Sequence, residues 1–297
     1  KAAAAAGDAA LAQVLDARQL ALKLCANAAY GYCGADTSSL SGPPLAEACL
    51  RWGSFYCREA ARLVRERWPE RRVVYAATDS VFVEMPGGCS VSDAVAAGEA
   101  MAAHVSASLP ACLDLEFEKV LSPFVLMHNN RYAGAEHTRA SLAARRPPEL
   151  HIKGLLERSQ AEVVRRAVKG ALHRALVRDD ARGALAFAGQ AVEAVARGAV
   201  AADGLVMGGM LWRTDHADLA CIAGGCAACS GEEKTHHKNA AKENHVAQAV
   251  KRLRADPRRR FRLGEHVPYV LVATGAGEPQ FKSTADPDDV VRDGLAV

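Results

Sequence analysis

No run of about 18 uncharged apolar residues occurs in the 297-residue sequence, so nothing in it reads as a membrane-spanning helix. Arg, Glu or Lys interrupts every apolar stretch. The first residues, Lys1 to Ala6, lack the cleavage pattern of a signal peptide, and they begin abruptly, as a fragment would. A disulfide framework is equally missing. Of the nine cysteines, six stand singly among stretches patterned as helix or strand, which fits reduced core thiols and an intracellular setting. A strong charge bias is lacking too, since a formal net charge of +3 is too small to argue for nucleic-acid binding by itself. The histidines offer no triad with a flanked serine or cysteine nucleophile. Gly204, Gly208 and Gly209 follow no phosphate-loop pattern. What remains reads as a soluble globular protein of one large domain or two, half of it hydrophobic.

From Asp8 to about Tyr32, the residues Leu11, Val14, Leu15, Leu20, Leu22, Leu24 and Cys25, set among alanines and without proline, predict a long helix. Gly31 and Gly34 mark its end. Ser41-Gly42-Pro43-Pro44 is a turn, and Leu45 to Trp68 reads as a second helix stopped by Pro69. Val73 to Ala77 and Ser80 to Glu84 read as two strands joined by a tight turn, closed by Pro86-Gly87-Gly88. Ser92 and Asp93 cap a helix through about Ser108. Leu113 to Lys119 alternates as a strand would, with Leu115 and Phe117 on one face and Glu116 and Glu118 on the other. Val125 to Met127 and Arg131 to Ala133 continue the strand pattern. This order is that of an α+β sheet domain with helices on one side. Beyond Lys153-Gly154 the character becomes mostly helical, with helices expected over Leu155 to Val177, Ala181 to Val195 and Glu243 to Leu253. Between them, Cys221 to Lys238 reads as an irregular insertion.

On the first helix, Lys23, Asn27 and Tyr30 fall at i, i+4 and i+7 and so line one face. A cation, an amide and an aromatic ring there could meet a triphosphate, a sugar and a base. An ordinary amphipathic helix showing a lysine to solvent is the bland alternative. Asp79 stands at the strand–turn–strand apex, placed to offer its carboxylate to a hard cation such as magnesium. A turn aspartate bonding its own backbone is the common alternative. Two-ion chemistry sets the metals about 3.5–4 Å apart on shared carboxylates, which one aspartate cannot supply. Lys251 to Arg262 carries seven cations against one aspartate and reads as either a phosphate tract or a solvated helix end. Cys221-x4-Cys226-x2-Cys229 with His236 and His237 invites a zinc reading. A flexible insertion is the preferred reading of that stretch.

Arg18 to Gly34 and Tyr75-Ala76-Ala77-Thr78-Asp79-Ser80-Val81 resemble motifs B and C of the family B DNA polymerases. Further matches follow in that family's order: Leu115-Glu116-Phe117-Glu118-Lys119, Asn129-Asn130-Arg131-Tyr132-Ala133-Gly134 and His151-Ile152-Lys153-Gly154-Leu155. His245 to Leu253, Leu263 to Leu271 and Ala285-Asp286-Pro287 resemble its thumb and closing segment. Spacing is closest to the eukaryotic delta branch, with the herpesvirus enzymes next. Collinear motifs in this number are far more specific than any one of them.

The resemblance implies an α+β palm sheet with fingers helices and a mainly helical thumb. Its divisions would be 1–68 for the fingers helices and their connection, 69–153 for the palm, and 154–297 for the thumb with an irregular insertion near 215–240. It implies template-directed DNA synthesis, in which a primer 3′-hydroxyl attacks a dNTP with the help of two magnesium ions. Lys23, Asn27 and Tyr30 would bind the nucleotide. Thr78 and Asp79 would form the catalytic turn, with Asp79 as metal ligand and Glu116 and Lys119 as palm support. Arg131, Tyr132, Lys153, Lys251 and Arg252 would contact primer–template DNA. Accessory replication subunits or a sliding clamp, and a nucleus or a virus-encoded setting, belong to the same expectation; a membrane does not. The departures matter as much. Motif A with its aspartate is not in this sequence, Ala76 and Ala77 replace the Gly and Asp of motif C, Ala28 replaces a serine, and Asn129-Asn130 replaces two lysines. The rival reading is a catalytically dead, polymerase-derived nucleic-acid-binding or structural protein. An unrelated α/β metabolic enzyme would require the collinear motifs to be coincidence.

Overall fold

The computed structural model describes residues 9–35, 38–77, 79–212, 219, 243–256, 258–262, 264–273, 279–295 and 297. The chain divides into two units, Lys1–Glu118 and Lys119–Val297.

The first unit opens with α1 (Ala9–Gly34), whose alanine-rich, proline-free sequence runs as one helix past Gly31 to Gly34. α2 (Pro43–Arg67) starts with proline at its first positions, where the missing N–H costs nothing, and packs against α1. The Gly42 N–H donates to the Cys33 carbonyl at 2.9 Å and closes the turn between them. Pro69 forbids continuation, and the Trp68 N–H ends α2 on the Val64 carbonyl. β1 (Arg72–Ala76) and β2 (Val81–Glu84) then pair antiparallel, Val73 opposite Val83 and Ala76 opposite Val81. The cap of α3 (Val91–Ser108) is Ser90 rather than Ser92, its hydroxyl accepting from the Asp93 N–H at 3.1 Å. Ala60 and Val64 of α2 meet Met101 and Val105 of α3, and Val73, Val81, Val83 and Leu115 pack onto that cluster.

The alternation from Leu113 to Lys119 is present, with Leu115 and Phe117 half-buried and Glu116 and Glu118 exposed, but the segment is not a strand. At its centre the backbone bonds of Leu115 go to a side chain. The Leu115 N–H donates to Ser106 Oγ at 2.8 Å, and the same hydroxyl donates to the Leu115 carbonyl at 3.2 Å. Phe117 lies where a Cβ on Gly98 would stand, 2.4 Å from its ring, so only glycine at that turn of α3 lets the segment lie flat.

In the second unit, β3 (Val120–His128), β4 (Arg131–His137) and β5 (Glu149–Lys153) form an antiparallel sheet in that order. A short α4 (Arg139–Ala143) is entered through a reciprocal Thr138–Ser141 capping box. α5 begins at Glu162, not at the expected Leu155, and runs to Leu172 before a π turn over His173–Val177. The preceding residues are held otherwise: the Glu157 N–H donates to Gln160 Oε1 at 3.1 Å, and the Ser159 carbonyl accepts from the Gly208 N–H. α6 (Ala181–Ala196) is capped by Asp180 on the Gly183 N–H at 2.7 Å.

The expectation of a mostly helical second region misses a sheet. β6 (Met207–Met210), β7 (His266–Leu271) and β8 (Thr284–Ala285) pair antiparallel around α7 (Asn244–Ala255), followed by α8 (Pro287–Asp293). The Gly208-Gly209 centre of β6 has no side chains from which a strand pattern could be read. Leu211, Leu219, Val246, Ala249, Val250, Leu253, Phe261 and Val267 form the core of this part.

Candidate functional site

In the first unit, α1 carries Lys23, Asn27 and Tyr30 along one exposed stripe, with Tyr30 44% exposed. Lys23 makes no ion pair among the described residues. Its charge is therefore available to an incoming anion.

α2 supports both α1 and the β1–β2 hairpin. The hairpin closes where the Ala77 N–H donates to the Ser80 carbonyl at 2.9 Å. Regular pairing ends at Ala76, and the strand alternation that would place Ala77 and Asp79 on one face stops short of the turn. Thr78 lies outside the described residues. Asp79 is exposed, and the Ser80 hydroxyl donates to its Oδ1 at 3.1 Å.

Beneath this loop sits a residue that the motifs do not reveal. The Cys57 thiol, buried on α2, lies 3.0 Å from the Ala77 carbonyl and 3.5 Å from the Ser80 carbonyl. Burial pushes this thiol's pKa up, the nearby Asp79 carboxylate adds to the rise, and the Ser80 backbone bond and Arg58 oppose it. The available sequence signal was the buried stripe Cys57, Ala60, Ala61 and Val64 at helical spacing. That stripe shows that Cys57 faces inward, not what it meets. Among the described residues it is the only cysteine that is buried; Cys25, Cys49 and Cys112 are exposed, so the expectation of core thiols holds at one position.

A pair of catalytic metal ions demands more than Asp79. Among the described residues no three His, Cys, Asp or Glu side chains gather as a metal site. The Ala77 and Ser80 carbonyls point to Cys57, and Ala77 contributes no carboxylate. The residues fit one ligand of a two-ion site, not the whole of it.

In the second unit, Tyr132 and Lys153 are direct partners across β4 and β5, and the Lys153 ammonium lies 5.8 Å from the Tyr132 ring centroid. Tyr132 also meets Phe124 at 5.6 Å. Gly154, at φ 67°, holds Lys153 at the strand end, where a Cβ would stand 2.1 Å from the Asn130 carbonyl oxygen. Asn130 itself takes a positive φ of 56°, a conformation asparagine tolerates better than lysine. Arg131 is exposed and pairs with Glu157 at 3.0 Å. Lys119 Nζ donates to Glu136 Oε2 at 2.9 Å, while Glu116 is exposed in the other unit.

Lys251, an exposed residue, and the partly buried Arg252 on α7 both bond to other elements of the fold. The Lys251 ammonium donates to the Lys282 carbonyl at 2.9 Å and to the Thr284 carbonyl, and its burial lowers its pKa. Arg252 Nε meets Asp286 Oδ2 at 2.5 Å, and its Nη2 donates to the Pro268 carbonyl at 3.2 Å. The bonds that fix β7, β8 and the start of α8 are thus made by residues expected to hold phosphates. Arg254, Arg258 and Arg262 of the same tract are exposed. Cys221, Cys226, Cys229, His236 and His237 lie outside the described residues.

The sequence profile described as DNA polymerase family B matches residues 1–297. The chain belongs to DNA polymerase family B. Its curated relatives within that family include the DNA polymerase delta catalytic subunits of Mesocricetus auratus and Bos taurus, each 30% identical over 96% of this chain. That of Glycine max is 27% identical over the same share. The chain spans about a quarter of the length of these relatives, 24% in each case. The α+β architecture and the membership of family B expected from the sequence are both borne out. No helix among the described residues is long and apolar enough to cross a membrane.

Proposed function

We propose that this chain is the nucleotide- and primer-gripping portion of a template-directed DNA polymerase of the delta type, and that on its own it does not polymerise. The observation that carries the reading is the pairing of an intact Lys23–Asn27–Tyr30 stripe with a hairpin turn that keeps a single exposed carboxylate, Asp79. Lys23 meets the triphosphate, Asn27 supports that contact, and Tyr30 packs near the nascent base pair. Arg131, Tyr132 and Lys153 track the primer–template backbone, Lys251 and Arg252 add phosphate contacts if their internal bonds yield, and Glu116 and Lys119 support the palm. The divisions at 68/69 and 153/154 follow the same assignment.

Magnesium, when bound in the complete enzyme, would supply Lewis-acid activation of the primer hydroxyl and charge neutralisation on the phosphates. Asp79, with Thr78 beside it, is the share of that site this chain brings. The chain's own work is binding, orienting and offsetting charge, which is most of what phosphoryl transfer asks of a protein. Nuclear replication, or replication by a virus, and contacts with accessory subunits or a clamp belong to the same reading.

The experiment is binding and primer extension with the 297-residue protein. Labelled primer–template should bind, a dNTP should add to the complex, and Lys23→Ala should weaken the dNTP step by at least about tenfold, as expected for one charge-assisted contact. No extension should occur with magnesium. Extension by this protein would overturn the inactivity, and unchanged dNTP affinity in Lys23→Ala would remove the helix from the nucleotide site.

Ala77 and Asn129-Asn130 favour a second reading, a polymerase-derived nucleic-acid-binding protein without catalysis. In a longer protein that contains a motif A aspartate, Asp79→Ala decides between them. A fall in extension supports the enzyme, and equal rates support the relic.

A further inference from the structure

The sheet face that carries Tyr132, itself buried at 6% exposure, and the exposed Lys153 has one more group able to hold a phosphate. Gly134 is the cross-strand partner of His151, two residues beyond the Tyr132–Lys153 pair, so His151 shares their face. Glu136, two residues beyond Gly134, lies there as well. Its Oε2 stands 2.9 Å from Lys119 Nζ and 3.0 Å from His151 Nδ1, while Lys119 Nζ and His151 Nδ1 are 3.4 Å apart. An ionised carboxylate only accepts, so the 3.0 Å contact places a proton on Nδ1. That nitrogen then cannot accept from Lys119, and the 3.4 Å separation is adjacency between two donors.

The consequence falls on the other ring nitrogen. With Nδ1–H committed to Glu136, Nε2 is the ring nitrogen left for a ligand, and it has no partner among the described residues. The ring is held for use. It stacks on Tyr132 with centroids 5.7 Å apart and planes at 20°, Gly134 opposite brings no side chain against it, and its side chain is 26% exposed. The charged and titratable groups around it are Glu136 and Tyr132 from β4, Lys119 just before β3, and Lys153 and Glu149 on β5 itself. His173 and Arg174 come from the π turn packed against the sheet. Arg174 is directed elsewhere, its guanidinium 3.9 Å over the Phe187 ring.

We propose that His151 is a further phosphate contact on the primer–template path, donating from its protonated Nε2 to a backbone oxygen beside the Lys153 contact. The proposal rests on the DNA-path reading above. With the imidazole neutral, Lys119 and Lys153 are matched on this face by Glu136 and Glu149. Once protonated, His151 adds a donor aimed by Glu136 and Tyr132, and one more counterion leaves the DNA on binding.

The test is fluorescence anisotropy with a labelled primer–template at pH 5.5 and pH 8, each over a salt series, for the unmodified protein, His151→Asn and His151→Lys. The unmodified protein should bind several-fold tighter at pH 5.5, with a log–log salt slope steeper by about 0.9 than at pH 8. His151→Asn should lose that increment while other histidines titrate unchanged, and His151→Lys should show the steeper slope at both pH values. An increment retained in His151→Asn overturns the contact. DNA binding in which all three proteins share one slope also overturns it and leaves the DNA-path reading standing, whereas no binding at any pH overturns both.

Discussion

At the scale of single residues, the turn that carries Asp79 is governed from below by a thiol. Cys57 gives up solvent to bridge two carbonyls of the hairpin loop, and its burial beside Asp79 raises its pKa. The sign of the resulting pH dependence follows directly. The folded state keeps the thiol proton to higher pH than the unfolded chain does. The stabilisation is therefore fully present below the unfolded thiol's range, about pH 8.5, and is lost as pH rises from there toward the folded value. Denaturant unfolding between pH 7 and pH 10 should show the protein losing stability faster than Cys57→Ala, by at most ~1.4 kcal/mol per pH unit within the window. Parallel curves for the two proteins would mean the thiol does not titrate against folding. None of this was legible in the sequence beyond the inward-facing stripe, because the partners of Cys57 are backbone carbonyls 20 and 23 residues away. Asp79 and the Lys23–Asn27–Tyr30 stripe were legible because their geometry is local: the close of a hairpin and a helical period.

At the scale of elements, the same division between local and distant causes explains which segments were readable. α1, α2, the hairpin and α3 announce themselves through periodicity, proline stops and a serine cap. Leu113 to Lys119 has the period of a strand without being one, since Ser106 takes the backbone bonds a neighbouring strand would have taken. The α7 cations are the sharper case. Their sequence reads as a phosphate tract, yet Arg252 and Asp286 are a mutually desolvated pair, 14% and 18% exposed, joining α7 to the cap of α8. Removing one member of such a pair strands the other. Arg252→Ala should lower the unfolding free energy by roughly 2–4 kcal/mol, and Lys251→Ala by about 1–2 kcal/mol through two orphaned carbonyls. Arg254→Ala, an exposed change on the same helix, should stay within about 0.5 kcal/mol. Urea denaturation measures all three. Equal, small effects would return Lys251 and Arg252 to the surface and to phosphate binding as their main task.

At the scale of the molecule, the net charge of +3 conceals an uneven distribution. Lys1–Glu118 holds ten Lys and Arg against fourteen Asp and Glu, and Lys119–Val297 holds twenty-seven against twenty, which gives −4 for the first unit and +7 for the second. A polyanion should therefore draw its electrostatic affinity from the second unit, while on the proposed reading a triphosphate would meet Lys23 in a unit of net negative charge, which favours its metal-complexed, less negative form. Within the second unit, the cations able to release DNA counterions are those not committed to the fold, and in the α7 tract these include Arg254, Arg258 and Arg262. Replacing all three with glutamine should reduce the log–log salt slope of primer–template binding by about 2–3, at up to roughly 0.9 per lost phosphate contact. Lys23→Ala should leave that slope unchanged if its charge serves the nucleotide, as proposed. A slope unchanged by the triple substitution would mean that the tract is a solvated helix end and that the positive unit holds DNA through Arg131, Tyr132 and Lys153. A slope that falls equally with Lys23→Ala and with the triple substitution would dissolve the division of labour between an acidic nucleotide-binding unit and a basic DNA-binding one.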